Sequence, residues 1–490
     1  VNTGASLSSF EKIIGEPGKP GSILIGLSPK EVKKSKPVIV FVPGLTNLSS
    51  MFYTESDWYR TAREDGFQTA IVELYDTGGP AKSYWDNGAV LAWQLSQVSE
   101  YLGGKKLAVV GFSKGALDAQ TALVHYGRHE LVDELYAIGS PHHGSELADL
   151  AHSTKASWLA NLIGMKNEGT RSLQTALMAY YRTITDNRPE RESTRYYTVA
   201  GKRSGPLFSR YFAGGLFIPG DSDGVVSVRS ATLPYGTMLK VGEWNHQDLT
   251  DRKNVYPVIS DVLLTGRETS EDYQTAGENL GTASRIVRGG PCRKTGIESF
   301  EVEEGAASFS ADWLTPDHAE GLSIIDPEGK IFKPEVTTSP DNGMFNGAWH
   351  HTFTIDDPIP GRWSIVEKRT SSNPSAYLVI ININSPISTQ LEFEQALEKK
   401  QFTVSGKDQA VPSSATASCT FTPCEKGKAD DTDDQEQSAS AFGTTVTLPD
   451  CGEGLYNTTM DIEGVTKGGS RFERTVVRTV YCDKSGRFYT

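Results

Sequence analysis

The sequence predicts an α/β domain on a parallel sheet, followed by two all-β domains. Three observations predict it. Up to Thr265, short continuous apolar runs alternate with helix-forming stretches. Runs of that kind are strands buried on both faces of a parallel sheet, with the helices covering it. Beyond Thr265 the apolar residues come in short alternating segments separated by turn signals, the pattern of β-sandwiches. Third, the five cysteines, Cys292, Cys419, Cys424, Cys451 and Cys482, all lie in this later part. None forms a C-x-x-C pair, which disfavours zinc, and disulfides in an exported domain are expected. Their connectivity stays open, with Cys292 either free or bridged to the tail. The expected division is 1–265 for the α/β domain, 266–290 for a polar linker, and 291–385 and 386–490 for two sandwiches, the second holding the disulfides.

The chain has 490 residues and a net charge of −13. That charge disfavours nucleic acid and anionic membrane surfaces as partners. No apolar run is long enough to span a bilayer as a helix. The opening Val1-Asn2-Thr3 does not read as a signal peptide, which a mature exported chain would already have lost.

Residues 1–36 are polar and rich in glycine and proline. The first buried strand is Val38-Ile39-Val40-Phe41-Val42, ending in Pro43-Gly44-Leu45-Thr46-Asn47. A second follows at Thr69-Ala70-Ile71-Val72, then an amphipathic helix with Leu91, Leu95, Val98 and Leu102 on one face. Leu107-Ala108-Val109-Val110 is the next strand, and Leu135-Tyr136-Ala137-Ile138 the one after, ending at Gly139-Ser140-Pro141-His142-His143-Gly144. The stretch 145–190 breaks the rhythm with two helical patterns. One carries Trp158, Leu159, Leu162 and Ile163; the other carries Leu173, Leu177, Tyr180 and Tyr181. Lying between two sheet strands, it is either plain core helix or a lid whose apolar face meets lipid. Strands resume at Tyr196–Ala200 and Met238–Val241, and a helix with Val255, Val258, Ile259, Val262 and Leu263 closes the domain. In the β region, Ala307–Trp313 and Thr352–Ile355 alternate, and Arg362–Val366 and Tyr377–Ile381 complete the first block. The second block carries an acidic segment, Asp430-Asp431-Thr432-Asp433-Asp434. It lacks EF-hand spacing and reads as a solvated loop rather than a cation site.

The chemistry centres on Gly111-Phe112-Ser113-Lys114-Gly115, set between the strand at 107–110 and the helix opening with Ala116-Leu117. With 48 glycines in the chain, chance yields about 0.3–0.4 matches to G-x-S-x-G, so the flanks carry the assignment. A strand, a sharp turn and a helix lift a serine hydroxyl clear of the sheet, and glycines without Cβ let the turn pack. Such a serine needs a base, and the base an orienting carboxylate, in the order serine, acid, histidine. Of nine histidines, His246 in Asn245-His246-Gln247-Asp248 follows a strand and precedes a helix. Asp223, before Gly224-Val225-Val226, is the expected acid, with Asp221 in reserve. His125, His129 and His152 read as solvated, His142 and His143 as near the mouth of the site, and His318, His350 and His351 as incidental. The oxyanion hole should use the Lys114 N–H and, after the first strand, the Leu45 N–H.

These residues resemble the bacterial true-lipase family of α/β-hydrolases. The resemblance rests on Phe41-Val42-Pro43-Gly44-Leu45, the Ser113 pentapeptide, Ser140-Pro141-His142-His143-Gly144-Ser145, Asp223-Gly224-Val225-Val226 and Asn245-His246-Gln247-Asp248, covering roughly 36–265. Two departures stand out: Pro43-Gly44 where the family usually has His-Gly, and Phe112 where it often has histidine. Neither removes a backbone donor. The resemblance also implies a structural calcium at Asp248, though a partner aspartate before Asp223 is not evident. The two later blocks resemble Ig-like accessory sandwiches of exported proteins. The resemblance implies a secreted serine ester hydrolase that needs no cofactor, in first place a lipase acting on lipid or ester at an oil–water interface. Alternatives on the same triad are a polyester depolymerase or an acyltransferase. A surface-binding protein that uses its sandwiches is the non-enzymatic alternative.

Overall fold

In a computed structural model, the described residues run from 7 to 490 except 33–35, 78–79, 204–216, 269, 272, 274–283, 320, 342, 371–372, 407–414 and 425–444. The acidic segment 430–434 lies outside them.

Eight strands form the first sheet: β1 (Phe10–Ile14), β2 (Ile23–Gly26), β3 (Val38–Val42), β4 (Thr69–Val72), β5 (Leu107–Phe112), β6 (Val132–Ile138), β7 (Arg195–Gly201) and β8 (Thr237–Gly242). Their order is β1-β2-β4-β3-β5-β6-β7-β8. From β4 to β8 neighbours are parallel; β1 and β2 add an antiparallel edge. Every residue of β3, β4 and β5 is buried. Successive side chains leave opposite faces of a strand, so Ile39, Phe41, Ala108 and Val110 enter one core and Val38, Val40, Leu107 and Val109 the other. The first core is capped by the closing helix Arg252–Thr265 through Val255, Ile259 and Val262. The second is capped by helices α2 (Tyr84–Tyr101) and α3 (Lys114–Val124), through Leu91, Leu95, Val98, Ala119 and Leu123; α1 (Trp58–Glu64) packs on the first. Ser83 caps α2, its hydroxyl accepting the Asp86 N–H.

Between β6 and β7 the chain forms α4 (Glu146–Ala151), α5 (Ser157–Leu162), α6 (Glu168–Ser172) and α7 (Thr175–Thr185). This helical insertion is where the sequence places it, but its apolar side does not face solvent. Leu147, Leu150, Leu159 and Met178 share a core with Val287, Leu314, Leu378 and Val477 of the β region. Trp158 and Leu162 alone among its large apolar side chains are strongly exposed among the described residues.

The β region has two units, each a pair of antiparallel sheets. In the first, β9 (Arg285–Cys292), β10 (Thr295–Val302), β11 (Ser308–Thr315), β12 (Leu322–Ile325), β13 (Ile331–Phe332), β14 (Thr337–Pro340), β15 (Trp349–Asp356), β16 (Gly361–Lys368) and β17 (Ser375–Asn384) form sheets β14-β15-β11-β17-β9 and β10-β16-β12-β13. In the second, β18 (Leu391–Ala396), β19 (Gln401–Gly406), β20 (Thr416–Pro423), β21 (Thr445–Thr447), β22 (Gly454–Val465), β23 (Arg471–Cys482) and β24 (Phe488–Tyr489) form β18-β19-β21 and β20-β22-β23-β24. The first unit begins six residues earlier than the expected 291, at Arg285. Charge hid this strand: Arg288 pairs with Asp461 and Glu473 of the second unit (3.1 and 2.8 Å), while Ile286 and Val287 enter different cores. No disulfide joins the five cysteines in this structure, where the sequence leads to an expectation of disulfides in the second unit. Cys482 Sγ lies 3.6 Å from the Cys451 carbonyl.

His350, read from sequence as incidental, is buried on β15 between two carboxylates. Nδ1 lies 2.8 Å from Asp312 and Nε2 2.8 Å from Asp341. Burial alone would push its pKa down; the Asp312 charge and the hydrogen bonds to Asp312 and Asp341 override this and raise it to about 10. The protonated ring therefore stabilises the fold in full below the ordinary histidine pKa, and that contribution is lost as pH rises through about 10. His350→Gln is expected to cost about 3–5 kcal/mol at neutral pH, because two buried carboxylates lose their cation. Denaturant unfolding at pH 7 and above pH 10 checks this: the wild type loses stability across that interval and the variant does not share the loss.

Candidate active site

Ser113 stands between β5 and α3 with φ 52° and ψ −128°. A non-glycine residue at positive φ is strained by about 1–3 kcal/mol and persists where packing enforces it. Here the glycines on either side permit the packing. A Cβ on Gly111 would meet the Ala116 Cα at 2.6 Å, and one on Gly115 the Pro43 carbonyl at 2.3 Å. The turn is also pinned by the Ser113 N–H donating to the Ile138 carbonyl of β6 (2.8 Å).

His246, on the loop after β8, reaches Ser113. Its Nε2 is 3.2 Å from Ser113 Oγ, and its Nδ1 is 2.6 Å from Asp223 Oδ2. The other carboxylate oxygen of Asp223 accepts the N–H groups of Val225 (2.9 Å) and Val226 (2.7 Å). Those bonds fix the carboxylate, which is 1% exposed. The His246 N–H donates to the Asp223 carbonyl (2.9 Å), and the Phe112 ring lies 4.9 Å from the imidazole. With its proton on Nδ1, held by Asp223, the imidazole presents Nε2 as acceptor to the serine hydroxyl. That arrangement can take a proton from a nucleophile and return it to a leaving group.

The structure thus brings Ser113, Asp223 and His246 together. It does not bring in Asp221, whose carboxylate is exposed and accepts the Tyr273 hydroxyl. Leu45 and Lys114 flank the serine. Leu45 lines the same cavity, and Gly44 lies so close that a Cβ on it would meet the Ser113 Cβ at 2.8 Å. Lys114 opens α3, where a helix N–H has no partner in its own ladder. Asp248 stands apart. Its carboxylate accepts the Asn245 N–H (3.0 Å) and pairs with the Arg203 guanidinium (2.8 Å). Among the described residues no group of three His, Cys, Asp or Glu side chains converges as a metal site. The Arg203 guanidinium already supplies a positive charge at the Asp248 carboxylate.

Other histidines depart from the reading as solvated. His152 is buried against Thr170 (3.0 Å), and burial pushes its pKa down to about 3. His125 is held by Thr185 (2.9 Å), and burial lowers it to about 4. His142 is fully buried and held neutral by burial, and His143 bonds the Thr232 carbonyl through Nε2 (3.1 Å). The polar pattern around these residues gave no hint that the helical insertion is sealed beneath a second domain.

The cavity at Ser113 holds about 50 Å³ and is lined by Leu45, Phe112, Leu173, Val225, His246 and Met344 among others. Small-molecule sites usually need roughly 300–1,000 Å³. Met344 and Gly343 come from the β14–β15 loop of the first β unit, and Met344 is 3% exposed. Asp341, at the root of that loop, is the residue held by His350. No motif in the sequence marked 341–348 as part of the site.

Sheet order, strained serine turn and acid–histidine loops together define a hydrolase on an α/β scaffold with a parallel-sheet core. No protein-family model matches the chain, and no curated protein matches it. Among solved structures, the Bacillus licheniformis lipase BlEst2 in its propeptide form is 30% identical over 97% of this chain and 100% of that one, with a TM-score of 0.82. The mature form of BlEst2 is 39% identical over 51% of this chain and 99% of that one, with a TM-score of 0.47. Aspergillus fumigatus lipase B is 14% identical over 51% and 57%, with a TM-score of 0.34. The chain belongs to the family of the B. licheniformis lipase BlEst2.

Proposed function

We propose that the chain is a serine carboxylic ester hydrolase, in first place a lipase acting on acylglycerols, whose active site is kept covered by its β region. The observation that carries the reading is the line Ser113–His246–Asp223 on a strained turn. Ser113 Oγ attacks the acyl carbonyl carbon as its proton passes to His246 Nε2. Asp223 holds the Nδ1 proton and stabilises the imidazolium. The N–H groups of Leu45 and Lys114 receive the oxyanion. The bond from carbon to the alcohol oxygen then breaks as His246 protonates that oxygen. Water attacks the acyl-serine with His246 as base, releasing the acid and restoring the Ser113 hydroxyl.

The cover follows from the volume of the cavity and from Met344. The cavity at Ser113, with Met344 in its lining, is far smaller than small-molecule sites usually are. The relative matched along its whole length is described in a propeptide form, which supports reading residues 285–490 as a covering segment rather than a docking module. Met344→Ala is expected to raise kcat/KM about 10-fold or more, because apparent affinity scales with the fraction of molecules whose site is accessible. Turnover of p-nitrophenyl esters and of an emulsified triglyceride by wild type and variant checks this. Equal rates contradict the cover, and activity on short soluble esters alone demotes lipid as the substrate. Export and pairing of Cys451 with Cys482 belong to the same reading, supported by the adjacency of the two residues; thiol titration of unfolded protein recovered from culture medium tests both.

A further inference from the structure

The two proposed oxyanion donors sit on different parts of the chain, Leu45 after β3 and Lys114 at the start of α3. One short segment after β4, Glu73 to Thr77, is bonded to the supports of both. On the Lys114 side, the side chain turns inward and is wholly buried. Its ammonium donates to Asp76 (2.9 Å) and to Asp118 one turn on (2.9 Å). Asp76 also accepts the Lys82 N–H (3.0 Å). Asp118 accepts from the Asn87 amide (3.2 Å), whose own oxygen accepts the Tyr75 N–H (3.0 Å). The segment therefore holds Lys114 directly through Asp76 and a second time through Asn87 and Asp118.

On the Leu45 side, the loop makes a tight turn closed by the Asn47 N–H donating to the Gly44 carbonyl (3.1 Å), with Thr46 at φ 61°. Glu73 anchors the far end of this loop at Ser49. Its buried carboxylate accepts the Ser49 N–H (3.1 Å) and the Ser49 hydroxyl, and also the Thr77 hydroxyl (3.0 Å). No lysine, arginine or histidine pairs with Glu73 among the described residues. The Gly18 N–H bonds the same carboxylate; a carboxylate buried among four neutral donors is a costly way to hold a loop, and one of the loops so held carries Leu45.

We propose that Glu73 and Asp76 act as a bracket that sets the distance between the Leu45 and Lys114 N–H groups, and that Glu73, Asp76 and the Lys114 ammonium are positioning residues for the oxyanion hole. The proposal rests on the serine ester hydrolase reading. Both donors must point at one oxygen that exists only in the transition state, so an error in their spacing weakens the transition state and leaves the ground-state ester unaffected. A displacement of about 1 Å costs on the order of 10²-fold in rate.

The test uses the full chain with Glu73→Gln, Lys114→Met and, as milder changes that keep the fold, Ser49→Ala and Thr77→Val. For each, kcat and KM are measured on p-nitrophenyl butyrate, together with the inhibition constant of an alkyl boronic acid, which forms a tetrahedral adduct on serine. The expected result for Glu73→Gln and Lys114→Met is a fall in kcat of about 10- to 100-fold with KM nearly constant. Boronate affinity should fall in proportion to kcat. Ser49→Ala and Thr77→Val should show the same split on a smaller scale. If the cluster serves stability alone, melting temperatures fall while kcat per folded molecule and boronate affinity stay at wild-type values, and the proposal is overturned. Should the two charge variants fail to fold, the Ser49 and Thr77 variants decide by the same split. Neither ester turnover nor boronate binding in the wild type or in uncovered Met344→Ala would instead remove the hydrolase reading itself, an outcome distinct from failure of the bracket.

Discussion

Ser113→Ala is expected to lower kcat for ester hydrolysis by about 10⁶-fold while leaving the fold intact. The magnitude follows from losing the proposed nucleophile, since members of a serine triad act as a unit. The fold should survive for a local reason. Alanine keeps the Cβ that already sits at φ 52°, so the strained turn, the close approach of Gly111 to Ala116 and the bond from the residue-113 N–H to Ile138 are unchanged. Only the hydroxyl contact to His246 is lost. Hydrolysis rates on a soluble ester, beside circular dichroism of both proteins, check this. Retained turnover in a folded variant contradicts the assignment of Ser113.

Asp223→Asn is expected to lower kcat by about 10⁴-fold, for a reason the hydrogen bonds specify. The oxygen of Asp223 that accepts the Val225 and Val226 N–H groups must remain an oxygen. The asparagine amide NH₂ therefore turns toward His246 Nδ1, which must then accept, and the ring proton moves to Nε2, facing Ser113. In that tautomer histidine cannot take the serine proton. Asp221→Asn is the matched control. Its carboxylate is exposed and bonded to Tyr273, and rates within about twofold of wild type are expected of a surface change outside the site. Kinetics of the two variants side by side separate the acid from its neighbour, and a reversed result would move the acid to Asp221.

Much of this site was legible in the sequence because its parts obey local rules. The run Leu107–Phe112 is apolar throughout and buried throughout, and the glycines at 111 and 115 stand where a Cβ has no space. Asp223 and His246 each follow a strand, and the order of the parallel sheet brings those loops to the end of β5. What was not legible depends on contacts between segments far apart in the chain. The inward turn of Lys114 needs Asp76, 38 positions away, and only its spacing from Asp118, one helical turn within an otherwise apolar stretch, gave a hint. The start of the β region at Arg285 was hidden because the charge of Arg288 is paired with a strand nearly two hundred positions later. The place of Met344 in the lining of the Ser113 cavity left no trace, since a methionine in a turn-rich loop carries no sign of the surface it will meet. His350 looked ordinary for the same reason, its two carboxylates coming from β11 and from the end of β14.

The central claim is that Ser113 is a nucleophile with a dedicated base, partly hidden by the β region. The most direct measurement is covalent labelling of the intact chain with a p-nitrophenyl alkylphosphonate, followed by peptide mapping and parallel assay of ester turnover. The account predicts a single adduct on Ser113, formed slowly in the wild type and faster in Met344→Ala, with turnover lost in step with labelling. An adduct on another residue, or turnover that survives complete labelling of Ser113, would contradict it.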